Sequence, residues 1–527
     1  MGGGHAGDRS RKTIMKVVFR VDSSLEIGSG HVLRCLTLAD RLRENGDSCQ
    51  FICREHLGHL ASLIKDKGFH VDLLSPPVKA EYSESKDLPE HASWLGVDWE
   101  TDAFDTKEVI LGSDVDWLVV DHYGLDHRWQ RLLAGIVKKL MIIDDLADRV
   151  HDCDLLLDQT YGRVDVDYQS LIPFGSTSLL GADYILLRPE FNQIRNQALL
   201  KRQKADFNCL LISLGGGDKN NLAGEILASL SPDSLPNNIE ITLVLGWGAP
   251  WLEQVREQAA RLPWNITVHE VVNNMAQLML DSDWAIGAAG GTSWERACLG
   301  LPAVLIVIAE NQRLLAKQLQ NSGAVKVVHM DELASPVILV NSIKCLLRDY
   351  DDMVQNCASI CDGLGVARVE RKMRLVLDIE LRNATLGDCR LIYTWQLQPQ
   401  VRLFARNKSI PTWEEHSSWF ETKLEEQESN FYIIEESSTP VGVVRLDPNE
   451  QTSQFEISIY LSEGADGRGI ASHALALARK AHPELDLLAV VLKGNEASHK
   501  LFNRAGYQKI SEDSYLNAGK YKKSNNV

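Results

Sequence analysis

A histidine stands where a glycine-rich turn runs into a helix, in Arg20-Val-Asp22-Ser-Ser-Leu-Glu-Ile-Gly28-Ser-Gly30-His31-Val-Leu-Arg34-Cys-Leu. The preceding Lys16-Val-Val-Phe-Arg-Val reads as a buried strand, and Gly28 and Gly30 permit a tight turn. Leu33, Leu36, Ala39 and Leu42 then carry helical spacing up to Gly46. His31 therefore falls in or beside the first helical turn, where exposed backbone N–H groups favour anions and disfavour an imidazolium. A neutral His31 is fit to act as a general base beside a bound phosphate, with Arg20, Asp22, Gly28 and Gly30 as candidate substrate contacts. A histidine that merely caps a helix is the alternative.

Two more glycine-rich elements follow apolar runs: Leu214-Gly215-Gly216-Gly-Asp218 and Gly287-Ala-Ala-Gly290-Gly291-Thr292-Ser293-Trp294-Glu295-Arg296. In the second, glycines let a ligand approach the backbone, Thr292 or Ser293 can cap the next helix, and Gly300-Leu-Pro302 stops it. A diphosphate fits over the free N–H groups, while Glu295 in the first turn can accept both hydroxyls of a ribose. A close-packed turn whose Glu295 only complements the helix dipole is the non-chemical alternative. Asp121-His122 and Asp144-Asp145 look like metal ligands but read better as strand-end residues, so no metal site is expected.

These residues need scaffolds, and the chain is long enough for about three domains: 527 residues, 44% of them hydrophobic. Up to residue 380, short apolar strands alternate with helical stretches, which implies parallel sheets and two α/β lobes. Strands are expected at Val17–Val21, Trp117–Val120, Leu140–Ile143, Leu155–Leu157, Cys209–Ser213, Ile241–Leu245, Ala285–Ile286 and Val304–Ile308. The polar stretch Asn192–Asp206 is expected to connect the lobes. After Ile379 the pattern becomes a charged helix, Thr412–Glu428, and the alternating strands Phe431–Glu435, Gly442–Leu446 and Phe455–Tyr460, the mark of a separate α+β module. The expected division is a disordered leader at 1–14, lobes at 15–200 and 207–378, and the module at 383–520. A net charge of −17 argues against a nucleic-acid binder, and no apolar run is long enough for a membrane span. Ten scattered cysteines form neither zinc spacing nor a disulfide framework, so the reducing cytoplasm is the expected compartment.

Residues 16–375 resemble the UDP-sugar hydrolase of the pseudaminic acid pathway, built on the two-lobed GT-B glycosyltransferase fold. The resemblance rests on the His31 loop, Val120-Asp121-His122-Tyr123-Gly124, Ile143-Asp144-Asp145-Leu146, Ser213-Leu-Gly215-Gly216, Gly290 to Glu295, and Glu310-Asn311-Gln312. It implies that His31 is the catalytic base, that Glu295 holds the uridine ribose, and that Asn311 lies near the substrate, with Tyr123, Gly215, Gly216 and Gln312 alongside. Residues 383–520 resemble a GNAT acetyltransferase, through Arg382-Asn-Ala-Thr385-Leu-Gly-Asp388, Trp413-Glu-Glu-His416-Ser-Ser-Trp419, Gly467-Arg468-Gly469-Ile470-Ala471 and Asn495-Glu-Ala-Ser498 through Tyr507. That resemblance implies acetyl-CoA as cosubstrate, its pyrophosphate on the N–H groups of Gly467 to Ala471, with Asn495 and Ser498 completing the site. Glu456 is the candidate base for the attacking amine, and His416 and Trp419 are candidates for the sugar site.

Two departures stand out: Asp466 opens the turn where Gln or Arg is usual, and Phe502 replaces a Tyr that protonates the thiolate. Tyr460, Tyr507 or a water would have to serve instead. The expected fold is thus two Rossmann-like lobes of GT-B type followed by an α+β GNAT domain. The expected function is hydrolysis of a UDP-linked 2,4-diacetamido-2,4,6-trideoxy sugar, with N-acetylation of its 4-amino precursor. A GT-B glycosyltransferase, or a hydrolase with a degenerate GNAT domain, are the competing readings.

Overall fold

The computed structural model describes residues 14–77, 88–173, 176–215, 218, 220–230, 235, 238–246, 248–426, 430–449 and 452–519, leaving aside the side chain of Asn311. Two compact units result. One holds the chain through Arg149 with Leu157–Tyr168 and Ser178–Glu370, and the other holds Arg371 onward with Val150–Leu156 and Gln169–Thr177.

The apolar runs near the N-terminus become a seven-stranded sheet of β1 (Lys16–Val21), β2 (Ser48–Arg54), β3 (His70–Leu74), β4 (Trp117–Asp121), β5 (Lys139–Ile143), β6 (Leu155–Asp158) and β7 (Thr177–Leu180). Its order is β3-β2-β1-β4-β5-β6-β7, and β1 pairs in parallel with both β2 and β4. Val17 to Phe19, Leu118 to Val120 and Met141 to Ile143 are all buried, as expected of strands covered on both faces. A second sheet repeats the order as β10-β9-β8-β11-β12-β13, from β8 (Cys209–Ser213), β9 (Glu240–Leu245), β10 (Asn265–Glu270), β11 (Trp284–Ala288), β12 (Ala303–Val307) and β13 (Val325–His329). Leu210, Ile212, Ile286, Val304 and Ile306 enter one core, while their neighbours Leu211, Ala285, Ala303, Leu305 and Val307 enter another. Alternate side chains thus fill the two faces of a doubly wound sheet. In both sheets the strand order reverses beside the first strand, between β1 and β4 and between β8 and β11, and it is outside the carboxyl ends of such strands that α/β sheets bind ligands.

The third sheet runs β14-β15-β16-β17-β18-β20-β19, from β14 (Ile379–Asn383), β15 (Asn430–Glu436), β16 (Thr439–Pro448), β17 (Gln454–Leu461), β18 (Asp486–Val490), β19 (Gln508–Lys509) and β20 (Ser514–Asn517). β14 to β17 are antiparallel neighbours, but β17 and β18 are parallel and stay paired only from Gln454↔Asp486 to Glu456↔Leu488. Beyond that point the two strands part.

The helices that shape the sites are α1 (Gly30–Glu44), α2 (Trp99–Ile110), α3 (Pro189–Arg202), α4 (Thr292–Cys298), α5 (Gly365–Asp378), α6 (Trp413–Glu425), α7 (Ile470–Ala481) and α8 (Glu496–Arg504). The stretch expected to connect the lobes, Asn192–Asp206, does lie between β7 of the first sheet and β8 of the second, and most of it is α3, which packs on α4 and on the helices Met275–Asp281 and Tyr350–Ile360. Its arginines are tied down: Arg202 donates to the carbonyls of Ser282 and Met279, and Arg195 to those of Cys361, Ala358 and Cys298. No helix among the described residues is long and apolar enough to cross a membrane.

Candidate active site

β1 delivers the chain into the loop Asp22–Ser29, where Gly28 (φ +80°) closes the turn onto the carbonyl of Ser24 and α1 starts at Gly30. His31 is the second residue of α1 and is only 8% exposed. The β1–β4 register sets Val21 against Asp121, which brings that carboxylate to the same sheet end. His31 Nδ1 lies 3.4 Å from Asp121 Oδ1, so the opposite ring nitrogen, Nε2, is the one left to meet a water.

One turn on, Arg34 clamps Asp121 with two bonds of 2.6 and 2.7 Å and reaches Asp145 at 2.6 Å. Asp145 also accepts the Tyr123 hydroxyl at 2.7 Å, and the Tyr123 ring stands edge-on to His31 with centroids 4.5 Å apart. Trp94 stacks on Tyr123 and donates from Nε1 to Glu26 in the loop at 3.1 Å, bracing the turn from outside.

Burial pushes the His31 imidazole below its ordinary pKa and outweighs the upward pull of Asp121. Burial opposes ionisation of Asp121 too, but the Arg34 guanidinium prevails and holds it below the usual carboxylate range. The result is a neutral imidazole facing a fixed anion, the state a general base requires.

Arg20 and Asp22, expected to touch substrate, are fully buried beneath this loop. Arg20 donates to both oxygens of Asp22 (2.7 and 2.9 Å) and of Asp102 on α2 (3.1 and 2.6 Å). Arg54 also donates to Asp102 at 2.7 Å, and the Trp129 indole does so at 3.0 Å. Asp22 lies 3.4 Å from His122, whose pKa burial pushes down to about 4. These residues form the floor on which the loop rests, with every guanidinium nitrogen of Arg20 used inside the protein.

In the second lobe, Gly287, the residue before the last of β11, must be a glycine because a Cβ there would run into Arg296 and the Ser213 carbonyl. Gly290 and Gly291 have no such reason. Neither has positive φ, and a Cβ on either would meet nothing within 4 Å. Their bare backbone faces open space, which suits close approach of a ligand. Gly30 is alike in this respect, while Gly215 (φ +68°) is needed for its backbone conformation.

The helix α4 is capped by Gly291, without a side-chain cap from Thr292 or Ser293. Both hydroxyls instead accept from Arg296, at 3.2 and 3.1 Å, and Arg296 also donates to Ala288 O at 2.9 Å. A buried guanidinium thus props the loop from below, its pKa lowered by burial to about 10. Glu295 is mostly buried, 3.4 Å from Arg188 before α3, and burial raises its carboxyl pKa. Gln312 turns its oxygen to Ile308 N at 3.1 Å. Gly216 and the Asn311 side chain lie outside the described residues.

In the second unit, the parting of β17 and β18 opens a pocket of about 1650 Å³. Gly467 (φ +70°) and Gly469 (φ +89°) lead into α7, and Gly467 to Ala471 line the pocket with Asn495 and Ser498. Ile470 is buried under the turn, and Asn495 caps α8 by accepting from Ser498 N at 3.1 Å. Arg468 pairs with Glu436. Glu456 sits on the last paired rung before the strands part, facing the pocket, with Arg406 2.5 Å away. His416 and Trp419 line the same pocket, and Tyr460 is a pocket phenol whose pKa burial raises. Phe502 is buried against Tyr507 and Tyr515. The open turn and divided strands fit a long diphosphate-bearing thioester such as acetyl-CoA.

Among the described residues no group of three or more His, Cys, Asp or Glu side chains is placed to hold a metal ion. Two roles escape sequence reasoning: Asp121 as the partner of His31, and Arg34 as the clamp on Asp121. Both lie within local motifs of the sequence, but only the strand register brings them together.

Two doubly wound lobes with glycine loops at their switch points, followed by a sheet with a split parallel pair, define a GT-B-type fold joined to a GNAT acetyltransferase domain. Residues 192–358 match the glycosyltransferase family 28 C-terminal domain, and residues 378–508 match the acetyltransferase (GNAT) domain. The UDP-2,4-diacetamido-2,4,6-trideoxy-beta-L-altropyranose hydrolase of Campylobacter jejuni is 28% identical over 59% of this chain and 97% of its own. The spore coat polysaccharide biosynthesis protein SpsG of Bacillus subtilis is 25% identical over 67% of this chain and 96% of its own. An uncharacterized protein of Methanocaldococcus jannaschii is 23% identical over 94% of this chain and 98% of its own, and so shares the whole two-part architecture.

Proposed function

We propose that the chain hydrolyses a UDP-linked 2,4-diacetamido-2,4,6-trideoxy sugar and, through its GNAT domain, first acetylates the 4-amino group of the precursor. The observation that carries the reading is the neutral His31 facing an Arg34-clamped Asp121 at the carboxyl ends of β1 and β4. His31 Nε2 accepts a proton from a water whose oxygen bonds to the anomeric carbon. The bond from that carbon to the diphosphate oxygen breaks, and its electron pair leaves with UDP. Asp121 stabilises the imidazolium until it releases the proton to solvent. Glu295 receives the ribose hydroxyls, and the bare Gly290–Gly291 backbone admits the diphosphate.

In the transferase domain Glu456 takes the proton lost by the 4-amino nitrogen as that nitrogen bonds to the thioester carbonyl carbon and the carbon–sulfur bond breaks. Tyr460 is the pocket phenol available to protonate the departing thiolate. The domains are taken as lobes at 15–200 and 207–378 and a transferase at 383–520, in a cytoplasmic enzyme. Incubating the full chain with a UDP-4-amino-4,6-dideoxy sugar and acetyl-CoA, with mass spectrometry, should show acetylation followed by UDP release without any acceptor. UDP release only when an acceptor is added would make the protein a glycosyltransferase. Hydrolysis of a pre-acetylated substrate without acetyl transfer would make the GNAT domain degenerate, a reading that Asp466 and Phe502 favour.

Glu295→Ala should raise KM for the UDP-sugar about tenfold or more with a smaller change in kcat, because ribose contacts are made equally in ground and transition states. An unchanged KM would reduce Glu295 to a partner of Arg188. Hydrolysis should persist in EDTA. The acidic residues that look most like metal ligands are already engaged: Asp121 and Asp145 by Arg34, and Asp144 by Arg149 (2.9 Å) and Tyr168 (2.7 Å). Activity lost on chelation and restored by Mg²⁺ would refute this.

A further inference from the structure

The phosphate-binding turn of the GNAT domain is poorly supplied with positive charge by its own residues. Asp466 opens it with a carboxylate, and the guanidinium of Arg468 is held by Glu436. Cations reach the pocket from elsewhere. Arg371, Lys372, Arg374 and Leu375, from the part of α5 that belongs to the second unit, line it alongside Gly467–Ser472, Lys500 and Arg504. Leu375 packs 3.2 Å from the position a Cβ on Gly469 would take, and Lys372 Nζ lies 3.7 Å from that position. The ammonium therefore stands over the turn itself.

The charges that act most directly on Lys372, those of Arg371 and Arg504, are of its own sign. It is half-buried, and burial together with Arg371 and Arg504 pushes its pKa below the ordinary lysine value. Among the described residues no ion pair ties Lys372, Arg371 or Arg504 to a carboxylate. Converging unneutralised cations repel each other, and the repulsion is relieved when an anion sits among them. In a chain of net charge −17, this cluster is a local exception.

We propose that Lys372, flanked by Arg371 and Arg504, supplies the cationic half of the site that receives the pyrophosphate of acetyl-CoA opposite the Gly467–Ala471 turn. The proposal rests on the reading of this domain as an acetyl-CoA-dependent transferase. It adds that the cofactor site begins upstream of residue 378, where the match to the acetyltransferase family starts. It also accounts for the tolerance of Asp466, whose carboxylate is offset from the facing helix.

The test is calorimetric binding of CoA and of pantetheine, which lacks the phosphates, to the full-length wild type and to Lys372→Met. That change keeps the apolar stem and removes only the charge. Lys372→Met should weaken CoA binding about tenfold, leave pantetheine binding within twofold, and flatten the salt dependence of CoA binding. Lys372→Arg should recover most of the affinity. UDP-sugar hydrolysis by the first unit should stay at the wild-type rate in both variants, and retained pantetheine binding reports that the second unit is folded. CoA binding by Lys372→Met within twofold of wild type, or an equal loss for pantetheine, overturns the proposal while leaving the acetyl-CoA reading intact. A wild-type chain that binds no CoA overturns both.

Discussion

His31→Ala lowers UDP-sugar hydrolysis by 10²–10⁴-fold and leaves UDP affinity nearly unchanged, because it removes a proton acceptor and no nucleotide contact. Steady-state kinetics beside UDP binding measures both, and a variant within a few fold of wild type would falsify the assignment. The environment of His31 adds a pH signature. A base must be unprotonated, and burial lowers the imidazole pKa, so the acid limb of kcat/KM should lie below the ordinary histidine value of about 6.5. Asp121→Asn removes the charge that pulls that pKa upward, so its acid limb should move lower still while kcat drops. An acid limb that stays in place would mean that Asp121 does not act on His31.

The second large effect concerns stability. Asp102→Ala should destabilise the first unit by about 3–5 kcal/mol, since it deprives two buried guanidiniums, Arg20 and Arg54, of a shared carboxylate. Urea unfolding followed by circular dichroism reads this as a lower midpoint, and a loss under about 1 kcal/mol would show that the network is not needed. Burial alone would raise the Asp102 pKa, but Arg20 holds it below the usual carboxylate range. Its contribution is therefore complete above the unfolded-state value of about pH 4 and fades as the pH falls below it.

How far the sequence could be read depends on how local each signal is. Strands buried on both faces, such as β1, β4, β5, β8 and β12, are continuous apolar runs and were found within a residue or two. The strands Ser48–Arg54, His70–Leu74, Asn265–Glu270 and Val325–His329 lie toward the sheet margins, mix polar with apolar residues, and give no such run. The stretch Asn192–Asp206 does run from the first sheet to the second, but its polarity hides that most of it is a packed helix, whose arginines are anchored on carbonyls some 80 to 160 residues away.

The same distinction governs the site. His31 and the glycine turns are local patterns and could be seen. Arg20 and Asp22 looked like ligand contacts because they flank a glycine loop, and only α2 and its Asp102 reveal them as buried structure. Asp121 and Arg34 become partners across 87 residues, through a strand register that no local pattern encodes.

A sheet whose strands part in the middle has interior edges. Between Ile457–Leu461 and Val490–Leu492, which face each other across the pocket, the main-chain amides along the seam lack the neighbouring strand that an unbroken ladder would supply. An extended molecule carrying amide bonds of its own can take the place of that missing strand, so occupancy closes the seam as well as delivering an acyl group. Unfilled seams invite pairing with foreign strands, and the loaded protein should be the form that better resists self-association on storage or heating.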